Sequence, residues 1–270
     1  MTRISQANLP CRFSQSQMKE FALLASNKII DAKNNGMYYL EPFKHLVIDN
    51  FLHADLAQSC LDNFPSPNED IWDRSYDENI EIKQRTIWKS EFDIPEAIVD
   101  TIRLLNSSIF LLALSETFNI RKLVPDPYFT GGGLNVTMPN GLLDVHVDGN
   151  YHDATGLNRR MNVIIYLNPK WQEGWGGEFG IYNNNGENCL KKLAPLFNRL
   201  VAFDTHDKSY HGLPDPCKFP EGEYRKSIIL YYYTKAPRES INNIIDKSHR
   251  ALWKKRNFTD KDGNIIREYS

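Results

Sequence analysis

The sequence predicts a mainly β, α+β fold in which a strand-rich barrel follows a set of helices packed on one of its sheets. Three observations carry that prediction. Apolar residues recur every three to four positions through most of residues 1–127, short β-branched and aromatic runs take over from Tyr128, and several of those runs are apolar on both faces. A strand that is greasy on both sides needs a barrel interior against one face and covering helices against the other.

From Ser14 to Lys33, Phe21, Leu24, Ala25, Ile29 and Ala32 follow helical spacing, and Asn34, Asn35 and Gly36 supply a stop. His45 to Phe51 reads as a strand. A second helical pattern then runs through Leu56, Cys60, Leu61 and Phe64 to its end at Pro65. Pro95 opens a third helix, expected to be continuous, with Ile98, Ile102, Leu105, Ile109, Leu112 and Phe118 on its apolar faces. The strands expected next are Tyr128 to Met138, Leu142 to Asp148, Met161 to Leu167, Glu178 to Tyr182, Arg199 to Asp204 and Ser227 to Thr234. Val163 to Leu167 and Ile228 to Tyr232 are the runs apolar on both faces. In the tail after Ala236, Asp246 to Phe258 reads as a solvated basic helix carrying Lys247, Arg250, Lys254, Lys255 and Arg256.

These elements make a single domain over residues 1–270: a helical support region at 1–127, a catalytic β core at 128–235 and a tail at 236–270. With 41% hydrophobic and 24% charged residues, the chain has the composition of a packed globular protein. A net charge of -2 gives no electrostatic reason for a nucleic-acid or membrane partner, and the oligomeric state is not legible. Cys11, Cys60, Cys189 and Cys217 lie far apart without a CxxC pair, which argues against a disulfide framework or a thiolate zinc site. The polar stretch Met1 to Glu20 has no apolar signal region, and the longest greasy run, Ile109 to Leu114, is too short to span a bilayer. The expectation is a cytoplasmic protein.

The chemistry concentrates in three places. Strand alternation over Leu142 to Asp148 puts Asp144, His146 and Asp148 on one face, so an imidazole and a carboxylate point the same way. Two such ligands occupy adjacent positions on a metal, and one more histidine completes a facial triad with open positions for oxygen chemistry. His211 is the expected third ligand: it sits in the turn-rich Ser209 to Pro214, and Gly212 permits close backbone approach. Its rival His206 reads as part of an exposed loop. Fourteen residues after His211, Arg225 opens a strand on which Ser227 shares its face, a fork and a hydroxyl able to hold a carboxylate.

Taken together, these residues resemble the prolyl 4-hydroxylase-like branch of the iron(II)/2-oxoglutarate oxygenases. The resemblance runs from about Gly131 to Thr234 and includes Gly131-Gly132-Gly133, His146-Val147-Asp148, Arg159-Arg160-Met161-Asn162, Trp175-Gly176-Gly177-Glu178, Tyr210-His211-Gly212 and Arg225-Lys226-Ser227. It implies a double-stranded β-helix of the jelly-roll or cupin type, with iron(II) held by His146, Asp148 and His211. It also implies 2-oxoglutarate on that iron with its far carboxylate at Arg225 and Ser227, and O2 as the third participant. Asn162 and Asn135 match positions where this class places cosubstrate-bonding groups. No separate protein acid or base is implied. Related halogenases have a small residue where Asp148 stands, so the resemblance favours hydroxylation of a C–H bond, with release of succinate and CO2, over halogenation; desaturation, epoxidation or ring formation would use the same ligands.

Asn150, Tyr151, His152 and Arg159 are the expected substrate-lining residues, at the mouth of the barrel. A small-molecule substrate is the leading expectation, with a peptidyl prolyl residue as the alternative. Two readings of another class stand beside it: a metal hydrolase using His152 as a further ligand, and a non-enzymatic cupin-like binding protein.

Overall fold

In a computed structural model describing residues 13–77, 80–238, 247–254, 257–259 and 265–268, the first half is helical but not purely so. It holds α1 (Gln15–Asp31), β1 (Tyr38–Tyr39), β2 (His45–Ile48), α2 (Ala54–Asp62), β3 (Trp72–Asp77), β4 (Glu81–Thr86), α3 (Glu96–Leu105) and α4 (Ser108–Phe118). The second half supplies β5 (Val124–Pro125), β6 (Gly133–Thr137), β7 (Leu142–Val147), β8 (Asn158–Tyr166), β9 (Phe179–Tyr182), β10 (Cys189–Leu193), β11 (Arg199–Asp204), β12 (His211–Leu213) and β13 (Arg225–Thr234). Beyond it lie β14 (Leu252–Trp253), β15 (Asn257–Thr259) and β16 (Ile265–Glu268).

Ser14 starts α1 with a capping box, its side chain accepting from the Gln17 backbone while Gln17 answers the Ser14 N–H. The continuous helix expected after Pro95 is two helices. Ser107 interrupts it as a new N-cap, its Oγ accepting from Phe110 N at 3.3 Å, and so restarts the chain as α4. The β3–β4 hairpin has no signature in the sequence, because its alternating charges and half-buried residues carry no apolar period.

The strands form one curled antiparallel array in the order β1-β2-β11-β8-β13-β6-β4-β7-β12-β9-β10. This is a double-stranded β-helix: a larger sheet from β2 to β6, a smaller one from β7 to β10, and β4 joining them. β4 pairs with β6 at Gln84↔Val136 and with β7 at Glu81↔Leu143.

Alternation assigns the two faces of the larger sheet. Met161, Val163 and Ile165 of β8, with Ile228, Leu230 and Tyr232 of β13, pack into one apolar cluster with residues of all four helices. Ile164, Tyr166, Phe179, Ile181, Val201 and Phe203 fill a second cluster inside the barrel. Tyr232 brings its hydroxyl into the first cluster only by donating to Leu105 O at 3.0 Å, as a buried phenol requires. No single helix among the described residues is long and apolar enough to cross a membrane.

One irregularity positions the site. Along the β8–β13 ladder Met161 faces Tyr232 and Arg159 faces Tyr233, leaving Arg160 as an extra residue. Such a bulge reverses the alternation of the side chains before it. Arg159 therefore joins Asn162 and Ile164 in lining the barrel cavity.

The basic helix expected over Asp246 to Phe258 does not form within the described residues: Leu252 and Trp253 are a short strand laid along β7. The unpaired edge of β7 offers this segment hydrogen bonds that an isolated helical turn does not. Asp246, Lys255 and Arg256 lie outside the described residues.

Candidate metal centre and cosubstrate pocket

A cavity of about 360 Å3 opens between the two sheets, and His146, Asp148 and His211 meet in it. β12 lies beside β7 with His211 directly opposite His146. Gly212 makes this approach possible, since a Cβ there would stand 2.8 Å from Asp144 O and 2.9 Å from Leu143 O.

Each imidazole is aimed by its own backbone. His146 Nδ1 lies 2.8 Å from Asp144 O, and His211 Nδ1 lies 2.8 Å from Ser209 O. A carbonyl only accepts, so Nδ1 carries the proton and the Nε2 lone pair of each ring is left for a metal. His146 Nε2 is 3.9 Å from Asp148 Oδ1, and His211 Nε2 is 3.8 Å from Asp148 Oδ2. An ion bound at about 2.0–2.2 Å from N and O donors fits between atoms so spaced. Asn162 Nδ2 donates to Asp148 Oδ2 at 3.0 Å and fixes the plane of the carboxylate.

Burial, and then the field of His211, push the His146 imidazole down to about 3 from its ordinary 6.5. Burial lowers His211 too, against the opposing pull of Asp148. Burial would raise the Asp148 carboxyl, but His211, Arg159 and His146, with the Asn162 hydrogen bond, outweigh it and hold the group below its usual range. The metal-binding protonation state, two neutral imidazoles and one carboxylate, is therefore already present at neutral pH.

The sign of the resulting pH dependence follows. Below pH 6.5 the unfolded chain takes up a proton at His146, whereas the folded chain does so only near 3. Stability from this group is full above the upper value and drains away as pH falls through that window. Urea midpoints of metal-free protein should fall steadily from about pH 6.5 to about pH 4.5; a flat profile would contradict the protonation states assigned here.

Deeper in the cavity, Arg225 is buried, donating from Nε to Gly177 O at 2.9 Å and from Nη2 to the Tyr166 hydroxyl at 3.1 Å. Both partners are neutral, and no carboxylate among the described residues pairs with this guanidinium. Ser227 Oγ and Asn162 Oδ1 are buried without hydrogen-bond partners. A buried cation without a counter-charge and two orphaned oxygens are costly in an empty pocket and become favourable once an anion with hydrogen-bonding atoms enters. The donor set thus fits both a divalent metal and a carboxylate-bearing ligand. Asn135 also lines the cavity, its Nδ2 donating to Gly133 O at 3.4 Å.

The substrate-side expectations divide. Tyr151 and Arg159 line the cavity. Arg159 lies over the Tyr231 ring at 3.9 Å, donates from Nε to the Tyr233 hydroxyl at 3.3 Å, and places Nη1 4.0 Å from Asp148 Oδ1. His152 and Asn150 are corrections. His152 is buried outside the His146–Asp148–His211 cluster: its Nδ1 accepts from the Ala154 and Thr155 backbones, so its Nε2 donates toward Asp126 Oδ1 at 2.9 Å. That pairing removes it as a further metal ligand. Asn150 turns outward and bonds the backbone of Lys247 and His249. His206 stays outside the metal cluster, as the turn context indicated.

Tyr166 was missed, although it shares the inward face of β8 with Asn162 and alternation alone could have found it. Lys83 and Arg85 of β4 and Trp253 of β14 also line the cavity. Lys83 and Arg85 lie 63 and 61 residues before His146, and Trp253 lies 26 residues after Ser227, outside every motif and where no local pattern pointed to them.

Comparison with known proteins agrees with this geometry. The family model described as the 2OG-Fe(II) oxygenase superfamily matches residues 132–233. Prolyl 3-hydroxylase OGFOD1 of Xenopus laevis is 24% identical over 202 residues, covering 71% of this chain and 35% of that protein. The chain therefore spans about a third of the length of this curated relative, and the same holds for the Mus musculus protein of that name, 24% identical over 33% of its length. Among solved structures, a prolyl hydroxylase from Trichoplax adhaerens, in complex with a hypoxia inducible factor oxygen degradation domain peptide fragment, superposes with a TM-score of 0.57 at 18% identity, covering 82% of this chain and 94% of that one. A Pseudomonas putida prolyl-4-hydroxylase gives 0.55 at 16% identity, covering 77% and 100%.

Proposed function

Because the chain belongs to the 2OG-Fe(II) oxygenase superfamily, we propose that it is an iron(II)- and 2-oxoglutarate-dependent hydroxylase acting on a prolyl residue of a peptide or protein. The observation that carries the reading is the pairing, in one cavity, of a His-Asp-His cluster with a buried arginine that has no counter-charge. Relatives named as prolyl 3-hydroxylases and a shared fold with prolyl hydroxylases support a peptidyl substrate. The small-molecule expectation gives way to the peptidyl alternative on that ground.

His146, Asp148 and His211 would hold the iron through Nε2 and carboxylate oxygens. Arg225, with the Tyr166 and Ser227 hydroxyls, would hold the distal carboxylate of 2-oxoglutarate. When bound, iron with 2-oxoglutarate supplies the oxidation itself: one oxygen atom of O2 enters succinate as CO2 leaves, and the other enters the C–H bond as a hydroxyl. Everything else is positioning. Asn162 keeps the Asp148 carboxylate turned to the metal, and Arg159, held between Tyr231 and Tyr233, keeps that carboxylate charged and faces the substrate side of the cavity.

The test is anaerobic addition of iron(II) and 2-oxoglutarate, expected to give a weak visible charge-transfer band, followed by O2 and proline-containing peptides. Mass spectrometry should find one oxygen added on proline with succinate formed alongside. A band and succinate without any prolyl product would overturn the substrate assignment, and no band at all would overturn the class.

A further inference from the structure

We propose that residues 247–254 are a fixed wall of the active site and that Trp253 is a specificity-determining residue beside the metal. The inference rests on the reading of the cavity given above, and it concerns a segment beyond the family match, which ends at residue 233.

β7 carries His146, and its two edges are occupied differently. One edge pairs with β12. The other is divided between two segments distant in sequence: β4 pairs at Leu142 and Leu143, and β14 pairs at His146 and Val147. The two meet in the middle, where Asp144 N donates to Ile80 O at 2.7 Å and Lys254 N donates to Val145 O at 2.8 Å. Without β14 the strand would present an open edge at the metal ligand itself.

The seat for this strap is built into the loop after β7. Asn150 bonds it three times: its N–H donates to His249 O at 3.1 Å, its Nδ2 donates to Lys247 O at 2.9 Å, and its Oδ1 accepts from His249 N at 2.9 Å. Gly149 leaves room for the crossing, since a Cβ there would stand 3.0 Å from His249 O and 3.1 Å from Arg250 Cα. His249 Nε2 lies 3.0 Å from Asp207 Oδ1, and Lys254 Nζ donates to Asn185 O at 2.6 Å. Backbone pairing and an amide clamp, more than the exposed ion pairs, hold the segment in place. That is the anchoring of a wall, not of a flap that opens each turnover.

On this seat Trp253 sets its indole 5.0 Å from the His146 ring and lines the cavity together with His249 and Arg250. Lys83 and Arg85 of β4 line the same cavity from the other segment on that edge. A substrate group approaching the metal passes a flat apolar face on the strap, which favours a compact ring or aliphatic group and narrows access for bulk solutes.

Three measurements on the full chain test the proposal. Hydrogen exchange of the metal-free protein should show the Lys254 amide protected by about 100-fold or more over unstructured chain, with protection across 247–254 falling in Asn150→Ala while the helices are unchanged. Removal of bound iron(II) by bipyridine should be about tenfold faster in Trp253→Ala than in wild type or Trp253→Phe, the order expected when a cavity wall is cut away. With proline-containing peptides, Trp253→Ala should raise KM about tenfold with a smaller change in kcat. An unprotected Lys254 amide, or bipyridine removal at the wild-type rate in Trp253→Ala, would overturn the wall; loss of strap protection when peptide is added would show a displaced flap instead. Absence of prolyl product from any peptide would count against the substrate reading alone, because exchange and chelation report on the strap without it.

Discussion

Replacing His211 with alanine is expected to abolish the charge-transfer band of the iron(II)–2-oxoglutarate complex and reduce succinate formation to background, whereas His206→Ala should leave both near wild type. His211 supplies one of three donor atoms that lie within 4.8 Å of one another, and its Nδ1 is committed to Ser209 O, which leaves Nε2 as its metal donor. The vacated position would leave His146 and Asp148 without the second imidazole, and loss of that nitrogen donor weakens the site's hold on iron(II) against water. His206 is also partly buried, and its imidazole is lowered by burial and by Arg238, so low pKa alone does not distinguish the two histidines. Geometry does: His206 lies outside the cluster and accepts the Lys208 backbone N–H at its own Nδ1. Binding isotherms for iron(II) or nickel(II) on both variants check the claim, and the reverse pattern would mean that the ligand set is misassigned.

Arg225→Met should raise KM for 2-oxoglutarate by roughly 30-fold or more, with kcat at saturating cosubstrate changed less. Truncating one partner of a buried, hydrogen-bonded charge pair costs at least about 2 kcal/mol, and each ~1.4 kcal/mol is a factor of ten. Arg225→Lys should recover only part of the loss, because an ammonium cannot bond Gly177 O, the Tyr166 hydroxyl and a carboxylate in one plane. Tyr166→Phe should cost less, about 1 kcal/mol for a single hydrogen bond, or about fivefold in KM. In the ligand-free protein the guanidinium is a buried charge without a counter-ion, so Arg225→Met should not lower the thermal midpoint and is expected to raise it. A variant that instead unfolds at a lower temperature with unchanged KM would make Arg225 a structural residue.

Much of this site was legible from residue order alone. Alternation put His146 and Asp148 on one strand face, Gly212 marked His211 as the histidine able to approach a neighbouring backbone, and Arg225 with Ser227 shared a strand face whatever the barrel closure. These are local facts: a two-residue repeat and a missing Cβ act within a few positions, and the chain carries them wherever it folds. The main sheet strands were legible for the same reason, because their apolar runs need two covered faces.

How distant segments divide the space around those residues depends on long-range pairing. His152 reads like a metal ligand in the string after the His-x-Asp, yet Asp126 and two backbone amides claim both of its nitrogens. The bulge at Arg160 turns Arg159 inward, an offset set by the pairing of β8 with β13 and invisible in β8 by itself. The segment around Trp253, read as a solvated basic helix, becomes a strand because β7 offers it an open edge. Residue order dictates which groups carry the chemistry and which strand faces present them; tertiary pairing dictates which neighbours occupy the remaining hydrogen bonds. Those are long-range competitions for donors, acceptors and edges that no local pattern records.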